Sequence, residues 1–111
     1  MKLVEQQHGA VKILQPDGPL AGEEAEKFLA RSLEASKENL GRVVLDASGI
    51  PYIDSRGLEC LVELADKLGN TGQTLKLCAV SKTLRQVLEL TGLSSRFDHF
   101  EDANLAVRSF L

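Results

Sequence analysis

The chain has 111 residues, 43% of them hydrophobic, enough for one compact core and a single domain. Sixteen acidic and 13 basic side chains leave a net charge of −3 with no long block of either sign, which excludes the basic footprint of a nucleic-acid or anionic-membrane binder. No apolar run approaches the roughly 18 residues of a spanning helix, and the opening MKLVEQQHGAVK holds no signal-peptide core, so the chain reads as cytoplasmic, with Cys60 and Cys78 as reduced thiols.

In chain order, KLVEQQ and AVKILQP are strand candidates on either side of HG, which suits a hairpin turn. PDGP, Pro16 to Pro19, then breaks the chain. From Gly22 to Leu40 the residues Ala25, Phe28, Leu29 and Leu33 recur at helical spacing, and Gly41 follows where a helix would end. RVVLDAS is a compact apolar run of the kind covered on both faces of a sheet. Leu58, Leu61, Val62, Ala65 and Leu68 line one side of a helix that stops near Gly69. QTLKLCAV is a further buried strand. Ser81 begins a helix with Leu84, Val87 and Leu88 inward, ended by TGL at Thr91 to Leu93. RFDHFED gives a last short strand and ANLAVRSFL a terminal helix. This order predicts an α/β fold over residues 1–111: a mixed, mostly parallel sheet with an N-terminal hairpin, right-handed crossovers and about four helices.

Sites in such sheets lie where strands end and helices begin. GIPYIDSRGLECL, residues 49–61, occupies one of these junctions and carries Asp54, Ser55, Arg56 and Gly57 in succession. Ser55 has three readings. As a helix N-cap, its oxygen accepts from an unpaired amide of the first turn; Glu59 comes one residue too late for a capping box. As a hydrolase nucleophile, it lacks the first glycine of G-x-S-x-G, where Ile53 stands, and it has no histidine nearby in sequence. As a phosphoacceptor, it places a charge of about −1.5 to −2 at a helix N-terminus, where free amides and the helix dipole favour an anion. In that reading Gly57 keeps the first turn open, and Arg56 is a cation for the phosphate or for a partner. Asp54 repels the added charge and is a hydrogen-bond partner for the unmodified hydroxyl.

The segment VVLDASGIPYIDSRGLECLVELADKL resembles the centre of the STAS domain, named for sulfate transporters and anti-sigma-factor antagonists. There an apolar strand ending in Asp is followed by a loop, an apolar residue, Asp-Ser, a small residue, Gly and Leu. GQTLKLCAVSKTLRQVLELTGLSSRFDHFEDANLAV is similar to the remainder of that domain, and GPLAGEEAEKFLARSLE, more loosely, to its first helix. The length resembles the standalone antagonists. The resemblance implies that Ser55 is phosphorylated by an anti-sigma factor that is also a serine kinase. It implies that the unphosphorylated form binds this anti-sigma factor, that phosphate ends the binding, and that a phosphoserine phosphatase restores it. Asp54, Gly57 and Leu58 match the motif, and Asp46 matches the aspartate at the strand end. Arg56 departs from it, because the family has a small residue there, and this bears on which kinase recognises the chain. The resemblance also implies an alternative reading, because some STAS proteins lack the switch: a non-switching subunit of a phospholipid-transport or other multiprotein complex that binds a transporter ATPase.

A response-regulator receiver with Asp46 as acceptor is the nearest rival, but KLVEQQHGAVKILQP has no acidic pair to hold Mg²⁺. There is no P-loop, so an ATPase belongs to a partner. The two cysteines, His8 and His99 have no metal-ligand spacing. The expectation is a regulator rather than an enzyme, with no cofactor, no metal and no direct contact with nucleic acid or membrane. Its partner-binding face comprises Asp46, Asp54, Ser55, Arg56 and Gly57, extended by Cys60 and Leu64. These last two fall off the stripe containing Leu58 and are expected to edge onto the surface beside Ser55.

Overall fold

In the computed structural model, which describes Met1–Leu111, the chain begins as an antiparallel hairpin of β1 (Lys2–His8) and β2 (Val11–Asp17) with His8 opposite Val11. Gly9 closes the two-residue turn at a φ of +61°, a backbone conformation that favours glycine. Pro16, which has no N–H to give, lies beyond Leu14, the last β2 residue paired with the next strand.

Three crossovers follow. Helix α1 (Gly22–Glu38) leads to β3 (Val43–Asp46), α2 (Ser55–Gly69) to β4 (Lys76–Cys78), and α3 (Lys82–Leu90) with a short 3-10 turn to β5 (Asp98–Phe100). The chain ends in α4 (Ala103–Arg108). The sheet order is β1-β2-β3-β4-β5, antiparallel only in the hairpin. Strands that advance steadily in one direction, joined by crossovers of one hand, put all three crossover helices on the same face. The main core is accordingly Leu14, Leu45 and Leu77 of the strands packed with Phe28, Leu61, Leu64, Leu84 and Leu88 of the helices. The opposite face, with Val11, Ile13, Val44 and Cys78, is covered by Ala106 of α4.

The expected elements are all present. The helix expected to take shape around Leu58 starts at Ser55, and its inward face is rotated from the one predicted. Gly57, Cys60, Leu61, Leu64, Ala65 and Leu68 are buried, whereas Leu58 and Val62 are only half-buried. Cys60 and Leu64 therefore do not reach the surface; each is 0% exposed. The reason is that α2 packs on α1 as well as on the sheet, so it must bury a stripe wide enough for two neighbours. The set 57, 60, 61, 64, 65, 68 has the spacing of such a stripe once Gly57 is allowed to belong to it.

Candidate functional site

The junction between β3 and α2 is held by the preceding crossover. Gly18 N–H donates to the Gly49 carbonyl (2.9 Å), Leu20 N–H to that of Tyr52 (3.1 Å), and Asp54 N–H to that of Leu20 (3.4 Å). Leu20 and Ile53 form a parallel bridge, and both Leu20 and Ile50 are buried. At the strand end, Asp46 Oδ1 accepts from Ser48 N–H (3.0 Å), and Gln15 Nε2 donates to Ser48 Oγ (3.0 Å). Asp46 thus folds the start of the loop. Its bonds reach Ser48 and Gln15, not the Asp54–Arg56 stretch.

Asp54 caps α2, not Ser55. Its Oδ1 accepts from Gly57 N–H (2.8 Å), and its Oδ2 accepts from Gly22 N–H (3.1 Å) at the start of α1. One carboxylate therefore fixes the first turns of two helices. A residue in this role satisfies amides that the helix itself leaves unpaired. The expectation that Asp54 bonds the Ser55 hydroxyl is corrected: the hydrogen bonds of its carboxylate run to the Gly57 and Gly22 amides, and none runs to Ser55 Oγ. Ser55 is left as the first residue of α2, exposed, with its hydroxyl unpartnered in the protein.

Gly57 is required by contact rather than by an open first turn. A Cβ there would lie 2.1 Å from the Leu20 carbonyl oxygen and 2.5 Å from Ile53 Cγ1. It is a buried packing position under the site, not part of a contact surface. Arg56 spans two helices at the solvent edge. Its Nε donates to Glu26 Oε1 of α1 (2.8 Å), and another guanidinium nitrogen donates to Glu59 Oε2 (3.0 Å). The bonds to Glu26 and then Glu59 hold its pKa above the ordinary arginine value. The cation expected to stand free beside Ser55 is therefore already engaged.

Two features were not anticipated. Tyr52 projects from the loop with 58% of its surface exposed, two residues before the Asp54 cap. A groove of about 360 Å³ runs along α2, lined by Leu58, Glu59, Val62, Glu63, Asp66 and Leu93. Ser55, Leu58 and Val62 lie at helical i, i+3, i+7 spacing, so the groove continues the face that carries the hydroxyl. That spacing was readable; the assignment of Leu58 and Val62 to the core concealed it.

The remaining chemistry-bearing residues lie elsewhere. Burial pushes the Cys60 thiol up, and burial pushes Cys78 up to about 12, so both are held as thiols. His99 Nε2 is bonded to the Ser94 carbonyl (2.8 Å), and His8 is exposed at the end of β1. Neither histidine is hydrogen-bonded to Ser55. No group of three or more His, Cys, Asp or Glu side chains converges as a metal site, and no helix is long and apolar enough to cross a membrane.

The family described as the STAS domain matches residues 2–106. A candidate anti-sigma factor antagonist, BtrV of Bordetella bronchiseptica, is 28% identical over 110 residues, which is 99% of this chain and 95% of that protein. The crystal structure of a candidate anti-sigma factor antagonist from Thermotoga maritima is similar with a TM-score of 0.88 at 21% identity, covering 96% of this chain and 92% of that one. The phosphorylated form of SpoIIAA, a Bacillus cell fate determinant, is similar with a TM-score of 0.74 at 16% identity, covering 99% of this chain and 100% of that one. Both structural likenesses concern the fold.

Proposed function

The chain belongs to the STAS domain family, and on that premise we propose that it is an anti-sigma-factor antagonist switched by phosphorylation of Ser55. The observation that carries this reading is the exposed, unpartnered hydroxyl of Ser55, the first residue of α2, with capping done by Asp54. BtrV supports the role by its name, and SpoIIAA supports the switch, since a protein of this fold exists in phosphorylated and unphosphorylated forms.

The partner is an anti-sigma factor with serine kinase activity, met in the cytoplasm. In the transfer, Ser55 Oγ attacks the γ-phosphorus of ATP held by the kinase. The Oγ–P bond forms as the bond to the ADP oxygen breaks, and the serine proton passes to a base of the kinase. This chain is the substrate and supplies no catalytic group. The product carries about −1.5 to −2 charges on the first residue of α2, where the helix dipole accommodates them, so the fold persists. What changes is the docking face. We assign to it Asp54, Ser55 and Arg56, extended by Tyr52 and by the Leu58–Val62–Leu93 groove. Asp46 serves it by shaping the loop. New charge and bulk at its centre release the partner, and a phosphoserine phosphatase reverses the step.

Incubation with ATP and lysate of the source organism, followed by phosphopeptide mapping, tests the acceptor. The expected result is phosphate on the peptide containing Ser55 and none after Ser55→Ala. The bond type is a second check, because phosphoserine survives hydroxylamine, whereas an acyl phosphate on Asp46 would not. Phosphate elsewhere, or none, contradicts the reading.

A further inference from the structure

Asp54 precedes Ser55, Glu59 lies four residues after it on the same helix, and Glu26 of α1 is joined to this turn of α2 through Arg56. Asp54 is occupied by two backbone amides. Arg56 is the cation bonded among these groups, and it rests on Glu26 through Nε and a second guanidinium nitrogen, at 2.8 and 2.6 Å. Its third nitrogen lies 3.0 Å from Glu59. The next basic residue along α1, Lys27, is paired with Glu24.

Positions four apart on a helix have Cβ atoms about 5–6 Å from each other, so a phosphate on Ser55 stands beside Glu59. It therefore arrives next to a carboxylate that Arg56 already touches. A phosphate monoester offers the planar guanidinium the same paired-oxygen geometry as a carboxylate, with up to twice the charge. Glu26 is 57% exposed and held by this arginine, so it gives up its partner to water at little cost.

We propose that Arg56 is an internal receptor for the phosphate of Ser55, drawn off Glu26 when the serine is modified. Phosphorylation then does more than mark one residue. It breaks the Glu26–Arg56 tie between α1 and α2, neutralises part of its own charge, and leaves Glu26 as a free carboxylate. The altered surface extends onto α1. The inference rests on the assignment of Ser55 as acceptor.

The test installs phosphoserine at position 55 during translation, without any kinase, and follows its second ionisation by ³¹P NMR across pH. Arg56 favours the dianion, so the midpoint in the wild-type background lies lower than in Arg56→Gln, by about half a pH unit or more. Glu26→Gln removes the competitor and lowers the midpoint further, by a larger step with Arg56 present than in the Arg56→Gln background. Coincident titrations of wild type and Arg56→Gln overturn the proposal, as do equal effects of Glu26→Gln in both backgrounds. All of these positions are on the surface of the folded domain. Because the phosphate is built in, a negative result leaves the kinase assignment standing, and a Ser55 that no kinase modifies leaves a positive titration standing.

Discussion

At the scale of single residues, the site depends on a division of labour between neighbours of similar chemistry. Asp and Ser are both good N-caps, so the sequence DSR admits either. The choice falls to Asp54 because its carboxylate also reaches Gly22 N–H, a group 32 positions away in the chain. That leaves the Ser55 hydroxyl free. Asp54→Ala should cost about 1–2 kcal/mol in urea denaturation, with only part of it recovered by Asp54→Asn, whose single oxygen accepts from one of the two amides while its NH2 meets the other. An unchanged midpoint in both variants would show that the caps carry no stability. Gly57→Ala should cost about 1–3 kcal/mol, because the added methyl meets the Leu20 backbone rather than a movable side chain. Full stability of Gly57→Ala would contradict the contact.

At the scale of elements, the alternation of strand and helix and the ends at Gly41, Gly69 and TGL were legible because apolar period and turn residues are local signals. The phase of α2 was not. Its inward stripe includes Gly57, which carries no hydrophobic signal, and half-buried Leu58 took its place in the pattern. Which leucines face α1 depends on how α1 and α2 settle against each other, a long-range fact. The same limit hid the groove: Leu93 comes from the turn after α3 and meets Leu58 and Val62 only in the folded chain. The corrected phase makes a paired prediction. Leu64→Ala should destabilise the domain by about 2–5 kcal/mol. Val62→Ala should cost about 1 kcal/mol or less, yet weaken partner capture. Thermal or chemical unfolding of both variants checks the phase, and equal losses would contradict it.

At the scale of the whole molecule, the sheet is a platform whose three crossover helices lie on one face, and the site stands where one of them begins. The hairpin is fastened to this layer by a charge pair. Arg31 of α1 bonds both oxygens of Glu5 at 2.7 Å, and these bonds hold the Glu5 carboxyl below the usual glutamate range. A lowered folded-state value means that the ionised pair stabilises the domain above the unfolded pKa. That contribution disappears as pH falls through the folded value. Glu5→Gln should therefore be less stable than the parent at pH 7, by about 1 kcal/mol or less for a pair this accessible to water, with the difference closing under acid. A difference that grows at low pH would contradict the assignment. On the proposed reading, this framework presents the Ser55 hydroxyl and the face around it to a partner. The most direct test is therefore capture from lysate of the source organism with Ser55→Ala and Ser55→Asp as paired baits. The account predicts that Ser55→Ala retains an ATP-binding anti-sigma factor and that Ser55→Asp loses it. Equal retention by both baits, of a transporter ATPase or any other protein, would contradict the switch and leave Ser55 as an unmodified helix residue in a constant binding module.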